Sequence, residues 1–292
     1  MSDNKRYQAS GIVYATAAYS IWGVAPIYFV IVSYASALEV LAHRIVWSIP
    51  LLVLFITFGR QWQKLPGRTV SWLLLCSVLL TINWLVFIYG IHAGKIAETS
   101  LGYFITPLVN VLLGALILKE SLSVVQWYAT GLAGIGVAGE IVSAGYFPWI
   151  ALSLAFSFGF YGLIRRQLNV PSALGLGIET SVLAPIAILF IFMFAEPGRR
   201  DLEELALLAA GGVVTAVPLV CFGAAARRLK LSMLSNFQYL APTISLFIAI
   251  YLYGEAVSPG RWMSFVCVWL AVAMFVWDEY RRAAASKVSA PQ

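Results

Sequence analysis

The chain has 292 residues, of which 61% are apolar and 11% are Asp, Glu, Lys or Arg. Soluble domains carry about 25% charged residues, so a compact water-soluble fold is excluded, and an apolar, aromatic-rich chain is not a disordered one. The formal charge is +6, but the Lys and Arg residues stand in short clusters between apolar runs. They read as membrane-topology signals rather than as a nucleic-acid surface.

Taken in chain order, ten apolar runs have the length of membrane-spanning helices, about 20 residues each. They cover 10–32, 38–58, 70–91, 98–118, 124–142, 147–164, 174–194, 205–226, 231–252 and 261–278. The first run is longer than the apolar part of a cleavable signal peptide and is followed by more. The runs are continuous rather than alternating, which argues against a strand barrel. The expected class is an all-α membrane protein with ten transmembrane helices.

The basic residues orient it. If the N-terminus is cytoplasmic, the inner segments hold Lys5, Arg6, Arg60, Lys64, Arg68, Lys119, Arg165, Arg166, Arg227, Arg228, Lys230, Arg281, Arg282 and Lys287. The outer segments hold only Lys95, Arg199, Arg200 and Arg261. That bias places both termini in the cytoplasm. The basic tail 281–292 reads as a disordered topology anchor. Cys76, Cys221 and Cys267 lie inside apolar runs without metal-ligand spacing and read as small core residues.

The chain also repeats itself. A shift of 135 residues lays Pro50 on Pro185, Phe87 on Phe222, Lys95 on Lys230, Ser100 on Ser235, Pro107 on Pro242, Glu120 on Glu255 and Trp127 on Trp262. Each copy holds five spans. Five is odd, so the second copy enters the membrane from the opposite side. This is the inverted-topology repeat, which in transporters puts a substrate site near the midplane between halves that rock against each other. The expected units are 8–142 and 147–280.

Several strings resemble a known family: Ser20-Ile-Trp-Gly-Val-Ala-Pro26, His43-Arg44, Ser100-Leu-Gly-Tyr-Phe-Ile-Thr-Pro-Leu-Val-Asn110 with Lys119-Glu120, Ala155-Phe-Ser-Phe-Gly-Phe-Tyr-Gly162 and Phe237-Gln-Tyr-Leu-Ala-Pro242. They are similar to the RarD group of the EamA-type drug/metabolite transporters over roughly 8–280. The resemblance implies ten helices in two EamA repeats, a plasma-membrane location and a transporter role. It supplies no substrate.

Ionisable groups within spans mark candidate sites. Arg44 is the seventh residue of the second span, about 9 Å from its outer end at 1.5 Å per residue. Its repeat mate is Glu179. Arg44 reads either as a bidentate clamp for a carboxylate or phosphate, or as half of a structural Arg44–Glu179 pair that locks the halves. A gate that breaks on substrate entry combines the two. His43 and Glu179 are proton-coupling candidates, with a packing role as the alternative for His43. His92, Glu98 and Glu140 sit at span ends and read as interfacial. Glu120 and Glu255 are expected to cap the helix or loop that follows each.

Spans four and nine carry Gly102-Tyr103-Phe104 and Phe237-Gln238-Tyr239 shortly before Pro107 and Pro242, which are expected to kink both helices. Tyr103, Asn110, Gln238 and Tyr239 are therefore substrate-contact candidates, joined by Asn83, Trp84, Tyr161 and Trp22. For each aromatic the alternative is core packing or an interfacial belt.

The expected activity is secondary transport by alternating access, as an exporter, of a small metabolite. The alternatives are a passive facilitator and a membrane-embedded enzyme. Span one has no acidic residue, which favours anionic or zwitterionic over cationic cargo. No P-loop, HExxH or GxSxG pattern occurs, so no catalytic residue, cofactor or metal site is expected. The partners are a small-molecule substrate and the bilayer, with no nucleic acid. The small-residue run 129–139 in span five reads as close intramolecular packing or as a homodimer face.

Overall fold

A computed structural model of the chain describes residues 3–92, 96–144, 147–194, 201–252, 254 and 259–288. All the secondary structure among them is helical. The elements are α1 (Asp3–Ile31), α2 (Ala37–Phe58), α3 (Gly67–His92), α4 (Ile96–Leu116), α5 (Val124–Ala144), α6 (Trp149–Gln167), α7 (Ser172–Phe194), α8 (Leu202–Ala226), α9 (Leu231–Gln238), α10 (Leu240–Tyr251) and α11 (Pro259–Val288).

Every apolar run of the sequence is helical, with local signals setting the ends. Ser36 caps α2 by accepting from the Glu39 amide at 3.2 Å, and Asp201 caps α8 by accepting from the Glu204 amide at 2.8 Å. Six helices among the described residues, α1, α2, α3, α7, α8 and α11, are long and apolar enough to cross a membrane. Within α4 the described apolar stretch is 101–116. Gly, Ser and Thr dilute α5, and Arg165 and Arg166 close α6.

Two expectations need correction. The ninth run is not one helix but α9 and α10, which meet at Tyr239. Pro242 has no N–H for the Gln238 carbonyl, so the helical ladder loses a rung there; it resumes with Thr243 N–H donating to the Tyr239 carbonyl at 3.2 Å. Pro107, at the matching place in α4, lies within an unbroken helix. The basic tail is helical through Val288, supported by Arg281 over the Trp277 ring at 4.7 Å and by an Arg282–Asp278 contact at 3.2 Å. Lys95, Glu196, Arg199, Arg200 and Glu255 lie outside the described residues, as do the side chains of His92, Glu98, Glu140 and Arg261.

Helices of the first half pack chiefly on helices of the second. α1 lies on α8 and α10, α2 on α7 and α8, α3 on α6 and α7, α4 on α6 and α9, and α5 on α11. Gly212 makes the α2–α8 contact: a Cβ there would meet the Trp47 carbonyl oxygen at 2.5 Å. Only a glycine lets the two backbones come so close.

Two sets of long-range hydrogen bonds tie the two ends of the bundle. At one end Tyr34 Oη donates to the Glu204 carbonyl at 2.8 Å and Tyr28 Oη to the Leu207 carbonyl at 3.2 Å. At the other, Arg227 Nη2 donates to Asn169 Oδ1 at 3.1 Å, and Arg228 Nε donates to Ser10 Oγ at 3.1 Å while its guanidinium covers the rings of Tyr7 and Tyr14. This basic end is also where Glu120 reaches across to α9. Its carboxylate accepts from Leu231 N–H (2.7 Å), Ser232 N–H (3.0 Å) and Ser232 Oγ (2.6 Å). Glu120 is thus a helix cap, as expected, but it caps a helix of the other half rather than the helix that follows it.

Candidate functional site

Arg44 occupies the second turn of α2. Its Nε donates to Thr215 Oγ1 on α8 at 2.7 Å, and its guanidinium lies 5.2 Å from the centre of the Phe29 ring. Thr215 in turn donates to the Gly211 carbonyl at 2.7 Å, so its remaining lone pair is aimed at the arginine. Gly211 leaves room for the arginine stem: a Cβ there would meet Arg44 Cγ at 2.7 Å and Tyr28 Oη at 2.6 Å. Two devices therefore hold the side chain, a hydroxyl on Nε and a ring beneath. Neither is an acid, and among the described residues no carboxylate pairs with Arg44. The terminal N–H groups, the geometry that recognises a carboxylate or phosphate in two parallel bonds, stay available.

Arg44 is partly exposed, and Tyr103 on α4 is half-exposed, at 50%. Arg44 lies within electrostatic reach of Tyr103 and of Tyr28. Yet α2 packs on α7 and α8, and α4 on α6 and α9. Arg44 and Tyr103 thus stand on helices that pack chiefly on other partners. The ring of Tyr103 rests edge-on against Phe87 at 6.3 Å.

The expected Arg44–Glu179 pair does not form. Glu179 is fully buried, and its ion contact is with Arg165 of α6, Nη1 to Oε1 at 3.6 Å. Tyr161 Oη donates to Glu179 Oε2 at 3.2 Å. From α3, Ser77 Oγ donates to the Glu179 carbonyl at 2.8 Å. The reason is placement: Arg165, one helical turn after Tyr161, points inward at 1% exposure. In the sequence it stands next to Arg166 at the end of an apolar run and looks like a topology marker. No sequence signal separated the two.

The other candidates divide. Asn110 and Gln238 meet, with Asn110 Nδ2 donating to Gln238 Oε1 at 2.7 Å between α4 and α9. Both are buried, as is Tyr239 at the α9–α10 break. Tyr19, which the sequence did not single out, lies beside Gln238. The Tyr19 hydroxyl and Asn110 Oδ1 are buried without a hydrogen-bond partner. Trp22 and Tyr161 share one aromatic cluster with Tyr19, Phe158 and Phe222; Tyr161 stacks on Phe222 at 5.9 Å and Trp22 meets Phe158 at 5.9 Å. Asn83 is a tie, not a free contact, donating from Nδ2 to the Leu154 carbonyl and to Ser157 Oγ, each at 3.0 Å. Trp84 packs into the core. His43 is buried, and its Nδ1 accepts from Trp47 Nε1 at 3.3 Å. Among the described residues no group of His, Cys, Asp and Glu is arranged to hold a metal.

The profile of the EamA-like transporter family matches residues 9–140 and again 147–277. Protein RarD of Escherichia coli is 42% identical over 278 residues, 92% of this chain and 94% of that one. A Vibrio cholerae protein described as an uncharacterized transporter is 42% identical over 288 residues, 95% of each chain. The chloramphenicol-sensitive protein RarD of Pseudomonas aeruginosa is 30% identical, covering 94% of this chain and 96% of its own. A solved crystal structure with 16% identity superposes with a TM-score of 0.73, over 91% of this chain and 98% of that one, so the fold is shared. The chain is therefore a multi-pass membrane protein that belongs to the EamA-like transporter family, alongside its RarD members.

Proposed function

We propose that the chain is a secondary transporter that exports a small anionic or zwitterionic metabolite across the plasma membrane. It works by alternating access between two inverted five-helix units, 8–142 and 147–280, with both termini cytoplasmic. The packing pattern supports two units related by a twofold exchange, which the odd span count makes inverted. Exchange α1–α5 in order with α6, α7, α8, the α9–α10 pair and α11. The α1–α8 contact then becomes α6–α3, α2–α8 becomes α7–α3, and α4–α6 becomes α10–α1. The contacts α2–α7, α4–α9 and α5–α11 map onto themselves. Two units that exchange interfaces in this way can rock about a shared axis.

The observation that carries the cargo class is Arg44, a partly exposed guanidinium held by Thr215 and Phe29, with no acid paired to it among the described residues. A fixed cation within a span is costly unless something anionic visits it. Tyr103, within electrostatic reach of it, adds a hydroxyl and an aromatic face. Untargeted metabolite profiles of the medium test this in three otherwise identical cultures: deleted, expressing the native chain, and expressing Arg44→Ala at equal membrane abundance. A carboxylated or phosphorylated compound that accumulates with the native chain and not with Arg44→Ala is the expected result. Accumulation that Arg44→Ala leaves intact would sink the clamp.

A further inference from the structure

Arg165 is the second charged guanidinium inside the bundle, and its surroundings are unlike those of a structural anchor. A buried ion pair is worth having only when its geometry is excellent and its remaining protons and lone pairs are satisfied. This one falls short. Its ion contact is 3.6 Å long, and Arg165 Nε, Arg165 Nη1 and Glu179 Oε1 have no hydrogen-bond partner. Arg165 Nη2 donates only to the Ser172 carbonyl, at 3.3 Å. The guanidinium lies on bare backbone. A Cβ at Gly175 would fall on its Nη1, and one at Gly223 would stand 3.3 Å from its Nη2. The chain thus builds a close-fitting seat for a planar cation and then gives it an imperfect counter-ion.

One face of α8 joins this seat to the outer arginine. Thr215 holds Arg44; Phe222, seven residues on and about 10 Å along the same face, carries the aromatic cluster; Gly223 floors Arg165. Tyr161 ends the line, with its ring on Phe222 and its hydroxyl on Glu179. Arg44 is partly exposed, and among the described residues no carboxylate pairs with it. Arg165, toward the opposite end of the bundle, is enclosed and has one. We propose that Arg165 is a second anion site on the transport path, and that Glu179 is its tethered occupant in the closed state of that end. When the basic end opens, a carboxylate or phosphate of the cargo takes the place of Glu179. The exchange trades one guanidinium–anion pair for another, so the buried charge is never left alone. This rests on the anionic-cargo reading above. It differs from it in naming residues that meet the cargo only when the basic end is open.

Cys76 of α3 provides a readout that needs no cargo. It is fully buried and within electrostatic reach of both Arg165 and Glu179. With Cys221 and Cys267 replaced by Ala, it is the single thiol of the full chain. Its modification by a hydrophilic maleimide is followed on protein in nanodiscs, with acetate or inorganic phosphate added against chloride at equal ionic strength. Glu179→Gln is expected to raise the Cys76 rate about tenfold or more, by freeing a local opening. Acetate, phosphate or both then lower it again, and the effective anion tells a carboxylate site from a phosphate site. Arg165→Gln/Glu179→Gln keeps the high rate and shows no protection by either anion. Should Glu179→Gln fail to assemble, Glu179→Asp takes its place, with a smaller rise and the same protection. An unchanged Cys76 rate, or a raised rate that neither anion lowers while Arg165 is present, overturns the proposal. A cargo profile independent of Arg44 would instead overturn the outer clamp, and the two failures are read on different assays.

Discussion

Arg44 and Arg165 are both guanidiniums on apolar helices, yet one is legible in the sequence and the other is not. A charge in the middle of an apolar run has no bland reading, so Arg44 stands out. Arg165 ends a run beside Arg166, where basic residues ordinarily mark the cytoplasmic side, and only packing tells which of the two turns inward. The neutral residues that complete each site, Thr215 and Phe29 around Arg44 and Gly175 and Gly223 around Arg165, are common in any membrane helix and carry no signal alone. The Asn110–Gln238 contact was legible as two polar candidates but not as a pair, because a shift of 135 residues relates Gln238 to Tyr103 rather than to Asn110. That contact is expected to be worth about 1 kcal/mol, the usual scale of an interhelical side-chain bond in a bilayer. Asn110→Ala and Gln238→Ala should each lower the unfolding midpoint in detergent. The double variant should fall short of the sum of the two, since the second truncation removes a bond already lost. Additive losses would mean that the two side chains do not act as a pair.

Helix boundaries were readable to within a few residues in the interior of the chain, because each run of apolar residues ends in loop chemistry: Ser36, Gly59, Asp201. The misses came where tertiary contacts override local sequence. Pro107 and Pro242 are the same residue at matching places, and only the second breaks its helix. α9 is only eight residues long, and its start is held from outside by Glu120. An eight-residue helix is marginal by itself, so the cross-half cap is expected to matter. Glu120→Ala removes three accepted bonds and should cost about 0.5–2 kcal/mol, the range for loss of an N-terminal cap. Glu120→Gln keeps one acceptor oxygen and loses the charge that favours a helix N-terminus, so its midpoint should fall between those of the native chain and Glu120→Ala. Equal midpoints for all three would mean that α9 is held by its apolar contacts alone.

At the scale of the molecule, two independent features bear on orientation. One is the distribution of basic residues. The other is connectivity: Tyr34 on the α1–α2 turn bonds to Glu204 at the start of α8, while Arg227 after α8 bonds to Asn169 on the α6–α7 turn. Successive turns therefore gather at alternate ends, and the end that holds Arg227, Arg228 and Lys230 also holds Glu120 and the N-terminal turn with Tyr7 and Ser10. Positively charged loops resist translocation, so that end should be cytoplasmic, and Arg44 should lie toward the opposite side. Single thiols in a background lacking Cys76, Cys221 and Cys267 test this directly. Gln63 on the α2–α3 turn and Ser33 on the α1–α2 turn are both exposed. In intact spheroplasts a membrane-impermeant maleimide should modify Ser33→Cys and leave Gln63→Cys untouched, and in inverted vesicles the pattern should reverse. Because the two turns flank one helix, α2, labelling of both from the same side would rule out its crossing the membrane. Reversal of the two patterns would instead put Arg44 toward the cytoplasmic side and both termini outside.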